Sequence, residues 1–261
     1  MFEWGKRTYV MGILNRTPDS FSDGGKYTDL NGAIEHCLSM VADGADIIDI
    51  GGESTRPNAV TVDVDSEIER VVPLIKAVSQ KINIPISVDT YNAKTAECAI
   101  KAGANMVNDV WGLMADNQMA DVVAQYNVPV CIMHNKKTTE YENLIFDILK
   151  DLEKSIDLAI KSGIKNENII IDPGVGFGKT YEQNIEVMKN LESFKTLGYS
   201  ILLGISRKSI IGLTLDLEPS QRLEGTIALN TIGIMKGADI IRVHDVQQCK
   251  RSAIMTDRVV R

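Results

Sequence analysis

The chain is poor in rings, sulfur and imidazole: 5% aromatic residues, four cysteines and three histidines in 261 residues. A core so short of aromatics must be built mostly from Ile, Val, Leu and Met. The cysteines, Cys37, Cys98, Cys131 and Cys249, contain no C-x-x-C pair and read as reduced, structural thiols in a reducing compartment. No apolar run approaches the ~18 residues of a membrane helix, so no membrane partner is expected. Positive charge is in deficit, with a formal net charge of −7 and a pI of about 5.1. That balance argues against nucleic acid, which wants a basic face, and an anionic small substrate would need a local positive site. The opening stretch, "MFEWGKRTYVMGIL", lacks the long apolar core of a signal peptide, and a cytoplasmic protein is expected. No linker or low-complexity segment interrupts the chain, which reads as one domain over 1–261.

What the chain does contain is alternation. Short branched runs recur at 9–15, 45–52, 85–90, 106–110, 129–134, 168–174, 200–206 and 240–246. They are too short and too uniformly apolar for exposed antiparallel strands and read as strands buried on both faces. Helical patterns separate them, several closing on glycine, as at Gly44 and Gly103. "GADII", "GANMV" and "GADIIRV" repeat the same entry into a strand. Eight such units predict an α/β fold, the (β/α)8 TIM barrel, with an open doubly wound sheet as the rival.

In a barrel of this kind the site lies at the carboxyl ends of the strands. The runs end on Asn15, Asp49 with Glu53, Asp89, Asn108 with Asp109, His134, Asp172, Ser206, and Arg242 with His244 and Asp245. One polar strand end is a turn residue; eight converging on one rim predict a ligand site. Period-two parity puts Arg242 with His244 and Ser87 with Asp89 on shared faces. Arg207 and Lys208 supply positive charge beside the last two strands, where barrels often bind phosphate, although Arg207 also fits a surface residue.

The stretch "IIIDPGVGFGKT" (169–180) invites a nucleotide-loop reading that its spacing refuses. A P-loop needs glycine at 173, which is Pro173, and a dinucleotide fingerprint from Gly174 fails at Lys179. It reads as a strand and a tight glycine turn, with Asp172 as its chemical residue. Phe177 either packs on a ring-shaped ligand or plugs the underside of the loop. The loops after the first two strands are the longest on this rim and read as mobile covers.

"MGILN" and "TPDSFSDGG" (11–25, apart from residue 16), "DIGGESTRP" (49–57), "SVDT" (87–90), "NDV" (108–110), "DPGVGFGK" (172–179), "SRKSIIG" (206–212) and "RVHDV" (242–246) occur in one order across nearly the whole chain. In this the sequence resembles the dihydropteroate synthases. The resemblance implies that 4-aminobenzoate displaces pyrophosphate from (7,8-dihydropterin-6-yl)methyl diphosphate to give 7,8-dihydropteroate, a step of folate biosynthesis that sulfonamides block by mimicking aminobenzoate. It implies that Asp89, Asn108, Asp172 and Lys208 hold the pterin, with Met133 and Phe177 flanking it. Thr55, Arg242 and His244 would take the diphosphate, with Mg2+ near Asn15. Phe21, Thr55, Arg56, Pro57 and Ser209 would form the aminobenzoate pocket, and Asp23, Lys208, Arg242 and His244 would act in catalysis. A homodimer through helices near the C-terminus is implied as well. Arg16, Asn58 and Asn135 depart from the family pattern. A pterin-dependent methyltransferase of the same fold, a Schiff-base aldolase using Lys208 and a non-catalytic pterin-binding paralogue are the alternatives.

Overall fold

The computed structural model describes residues 2–15, 26–52 and 62–261, with the backbone alone for 26–29. Parallel neighbours can be joined only by crossovers, and helices supply them. The strands are β1 (Tyr9–Asn15), β2 (Ile47–Gly51), β3 (Ile86–Asp89), β4 (Met106–Asp109), β5 (Val130–Met133), β6 (Ile169–Asp172), β7 (Ser200–Gly204) and β8 (Ala238–Val243). They close into a parallel barrel in sequence order. The helices are α1 (Lys26–Ala42), α2 (Val64–Ser79), α3 (Ala93–Ala102), α4 (Met119–Tyr126), α5 (Leu144–Lys161), α6 (Tyr181–Lys189), α7 (Ser209–Leu215), α8 (Leu223–Met235) and α9 (Val246–Val260). The architecture is the (β/α)8 barrel. Two helices, α7 and α8, occupy the last crossover, where the repeat predicts one.

The ladders stop earlier than the apolar runs suggest. The run at 240–246 is a strand only over Ala238–Val243, since its pairing with β1 ends at Val243 opposite Gly12. His244 and Asp245 follow on the loop, with Asp245 at the N-cap position of α9. His134 and Ser206 likewise lie just beyond β5 and β7. These residues belong to loops at the barrel mouth rather than to strands.

Alternation divides the strand side chains between two cores. One face packs on the helices. The other fills the barrel with Tyr9, Met11, Ile47, Met106, Cys131, Ile170, Leu202 and Ile240. Phe2 and Trp4 pack against this inner cluster, their rings stacked 4.7 Å apart. Two residues further toward the carboxyl ends, the same inward face turns polar. Register sets Asp89 beside Asn108, Met133 beside Asp172 and Gly204 beside Arg242. The four cysteines are free thiols. Among the described residues no helix is long and apolar enough to cross a membrane.

Candidate active site

The polar layer opens into a cleft of about 370 Å³ at the carboxyl ends of the strands. A groove of about 390 Å³ at the barrel base is as large, but its charged residues Arg7 and Asp46 are paired to each other at 2.7 Å. Convergence of polar groups, more than size, marks the site.

Arg242 is the hub of the floor. Its Nε donates to Asp49 Oδ2 and its Nη2 to Asp89 Oδ2, both at 2.6 Å. Asp49 Oδ2 also accepts from Asn108 Nδ2 at 3.1 Å. Four strand ends, of β2, β3, β4 and β8, are thereby tied together across the barrel. Burial works against the guanidinium's charge, but Asp49 and Asp89 outweigh it and hold Arg242 above its ordinary value. Asp89 is pushed up to about 7 by burial, which the attraction of Arg242 only partly offsets, and the like charge of Asp49 adds to the push. Asp49 Oδ1, Ser87 Oγ and Asp89 Oδ1 are buried without a hydrogen-bond partner. Such atoms are costly unless something meets them.

Asp172 and Lys208 form the second feature. Neither is repelled by a side chain at Gly204, where a Cβ would lie 3.7 Å from Lys208 Nζ and 3.8 Å from Asp172 Oδ2. The acceptor and the donor therefore converge over one glycine. Burial raises Asp172, partly countered by Lys208; burial lowers Lys208 to about 8, partly countered by Asp172. Lys208 Nζ also donates to the Val175 carbonyl and stands 4.6 Å from the Phe177 ring centroid. The turn that carries Val175 and Phe177 begins at Gly174 with φ +71°, where a Cβ would lie 1.9 Å from the His134 carbonyl oxygen. No side chain fits there. Lys179 anchors the turn, its Nζ donating to the carbonyls of Gly174 at 2.9 Å and Phe177 at 3.0 Å.

The wall opposite is basic. Ser206 Oγ accepts the His244 backbone N–H at 3.2 Å and lies 3.0 Å from His244 Nδ1. Arg207 has φ +57°, left-handed for a residue with a side chain. Its Nε holds Asp245 Oδ2 at 3.0 Å, and its own amide donates to Thr226 Oγ1 at 3.1 Å. Arg222 Nη1 donates to the Arg207 carbonyl at 2.9 Å. Asn15 and Ser209 complete the rim.

The cleft brings together Asn15, Asn108, Met133, Asp172, Phe177, Lys208, Ser209, Arg242 and His244. Phe177 lines the cleft beside Lys208. Asp89, beside Asn108 in the register, is not among the side chains that line the cleft and is bonded to the Arg242 guanidinium, a pairing the sequence reading had not made. Asp109 is a turn residue, its carboxylate accepting the Trp111 and Leu113 amides, each at 2.8 Å. Phe21, Asp23, Thr55, Arg56 and Pro57, with Arg16, Glu53 and Asn58, lie outside the described residues. Arg207, which could have been a surface residue, lines the cleft, and so does Arg222, which no motif singled out.

Residues 11–244 match the family described as pterin binding enzyme. A dihydropteroate synthase of Clostridium beijerinckii is 60% identical over 261 residues, which is 100% of this chain and 97% of that protein. A solved Clostridium difficile dihydropteroate synthase, crystallised in the presence of pteroic acid, superposes with a TM-score of 0.98 at 56% identity, covering 100% of both chains. A Xanthomonas albilineans dihydropteroate synthase with 4-aminobenzoic acid has a TM-score of 0.93 at 40% identity, covering 97% of this chain and 93% of that one.

Proposed function

The chain belongs to the dihydropteroate synthases of the pterin-binding enzyme family, and from that membership we propose how its own residues divide the reaction. The enzyme is a transferase that joins 4-aminobenzoate to the dihydropterin methylene carbon and releases pyrophosphate. The amine lone pair forms the C–N bond. The C–O bond breaks with its electron pair going to the diphosphate, and the surplus ammonium proton passes to solvent.

The observation that carries the assignment is the convergence of Asp172 and Lys208 over Gly204. A pterin edge presents guanidine-like donors beside a carbonyl and a ring nitrogen. Asp172 accepts from the first, and Lys208 donates to the second. Asn108 and the unpartnered Asp89 Oδ1 extend the polar floor, while Met133 and Phe177 cover the ring faces. Cleavage leaves positive charge on a conjugated pterin and negative charge on oxygen, which gives the step dissociative character. Stabilising that anion is the main lever, and the wall of Arg242, His244, Arg207 and Arg222 is placed to supply it. Ser209, on the same rim, is the described residue placed for the aminobenzoate carboxylate.

Mg2+ fits the Asn15 position. Among the described residues no cluster of three His, Cys, Asp or Glu could hold a metal. A lone side-chain oxygen beside a phosphate site suits an ion that keeps its waters and takes its other ligands from phosphate. Bound there, it would neutralise charge on the leaving group; Asn15 would hold it.

The division of labour is testable by calorimetry. Asp172→Asn is expected to weaken pterin binding by about tenfold or more, since a charged hydrogen bond is worth ~1.5–3 kcal/mol, and to leave pyrophosphate affinity unchanged. His244→Ala is expected to do the reverse. The same profile from both variants would overturn the assignment.

A homodimer is proposed from apolar side chains left uncovered on the last three helices. Leu213 (68% exposed) on α7, Met235 (63%) on α8, and Met255 (65%) and Val259 (77%) on α9 stand in solvent. Helices α8 and α9 pack on one another, and unpartnered apolar surface of this kind marks interfaces. Sedimentation equilibrium should give twice the 28.7 kDa chain mass; a monomer at micromolar concentration would contradict it.

A further inference from the structure

Lys208 meets the pterin site against the glycine turn that follows β6. The Val175 carbonyl accepts from its Nζ, and the Phe177 ring centroid lies 4.6 Å from the same atom. Between them, a Cβ at Gly176 would lie 3.1 Å from Lys208 Cδ. Three consecutive residues thus enclose the end of this side chain. The turn also holds the other pterin group, since the Gly174 amide donates to Asp172 Oδ1 at 2.7 Å. The position of the turn therefore sets the position of both.

The turn has little stiffness of its own. Gly174, Gly176 and Gly178 take positive φ, at +71°, +88° and +55°. Glycine gives up more backbone freedom on folding than any other residue, so a turn with three of them must be held from outside. Lys179 does this. Its ammonium has three N–H groups, and three acceptors stand around it: the Gly174 carbonyl at 2.9 Å, the Phe177 carbonyl at 3.0 Å and His134 Nδ1 at 2.9 Å. Burial, then the charge of Lys179, pushes His134 down to about 3, which keeps the ring neutral and able to accept. A second tie comes from α6, where Asn184 Oδ1 accepts the Gly176 amide at 2.6 Å. Gly176, Phe177 and Lys208 line the cleft, whereas Lys179 and Asn184 do not. With its three donors engaged, the ammonium has none left for a ligand.

We propose that Lys179 is a positioning residue for the transfer reaction: its ammonium ties two carbonyls of the glycine turn to His134 and thereby sets Lys208 against the pterin edge. The proposal rests on the assignment of Asp172 and Lys208 to the pterin. A residue that served only the fold would weaken every ligand alike. One that acts through Lys208 costs little once Lys208 is gone.

A double-mutant cycle reads that difference. Lys179→Met keeps the length of the stem and removes the donors. It is expected to lower kcat/KM roughly tenfold to hundredfold, the range set by ångström-scale misplacement. In the Lys208→Ala background the same change should cost less than about threefold. In calorimetry the 6-hydroxymethyl dihydropterin, which lacks the diphosphate, should bind Lys179→Met about tenfold more weakly. Pyrophosphate should bind as it does to the wild type, which also reports that the variant is folded. Should Lys179→Met fail to fold, Asn184→Ala, which frees the Gly176 amide and leaves the ammonium in place, is read in the same way and should give the same pattern. Equal factors in the two backgrounds, a parallel loss of pterin and pyrophosphate affinity, or wild-type kinetics would each exclude positioning through Lys208. Should Lys208→Ala itself cost nothing, the pterin assignment fails first and the proposal falls with it.

Discussion

Lys208→Ala lowers kcat by about 10²–10³-fold, the order seen when a donor that serves the transition state is removed, and leaves the circular dichroism spectrum unchanged. The ammonium touches a backbone carbonyl and a ring face, and its loss breaks no strand or helix. Two effects on stability oppose one another at pH 7: Asp172 loses the cation that partly offsets its burial, and the fold is relieved of a buried ammonium. Burial depresses Lys208 to about 8 in the folded chain, below its unfolded value of ~10.4. A depressed group contributes stability above its unfolded pKa and loses it as pH falls through the folded one. At pH 7 the buried ammonium therefore opposes folding, and alanine relieves that opposition. The same value shapes the rate profile. As pH rises through about 8 the donor loses its proton, so wild-type kcat/KM should fall there. Near-wild-type turnover by the alanine variant would remove Lys208 from the reaction.

Arg242→Met is the most destabilising single change in the site, by about 3–5 kcal/mol, because it strands buried carboxylates without their cation. Asp49 is completely buried and Asp89 nearly so, and both lose a 2.6 Å ion pair. Thermal melting should fall by roughly 10 °C, since ~1 kcal/mol shifts a chain of this size by about 2–4 °C. The deficit should shrink in acid. With Arg242 present, Asp89 already lies up at about 7, above its unfolded ~3.9. A raised carboxylate contributes stability below its unfolded pKa and loses it as pH rises through the folded one. Without the arginine the folded value climbs further, so the variant regains stability on acidification more steeply than the parent. Adding Asp49→Asn and Asp89→Asn should restore part of the melting temperature but not turnover, since the leaving group still lacks its cation. An Arg242→Met protein as stable as the parent at pH 7 and pH 5 alike would refute the hub.

The barrel was legible because its units repeat one grammar: a branched run, a polar end and a helix, several of them closing on glycine. Gly44 and Gly103, read as helix ends, do take positive φ, at +97° and +121°. Asp172, Lys208 and Asn108 were legible because each stands at or just past a strand end, where the fold itself fixes the position of the site. The Arg242–Asp89 pair was not. Its partners are 153 positions apart in the chain, and only the closed barrel brings β8 face to face with β3. Arg222 was hidden for another reason. It lies ahead of α8, in a crossover whose second helix the repeat did not foresee, and it reaches the site by bonding the Arg207 carbonyl. Lys179 was visible inside the glycine stretch, but only the folded turn reveals that its ammonium holds the Gly174 and Phe177 carbonyls.

The most direct measurement is pyrophosphate release by purified protein supplied with Mg2+, (7,8-dihydropterin-6-yl)methyl diphosphate and 4-aminobenzoate. The expected result is release that requires aminobenzoate and is matched mole for mole by 7,8-dihydropteroate. Pterin binding by calorimetry with no aminobenzoate-dependent release would contradict the account: the Asp172–Lys208 pair would then serve binding alone.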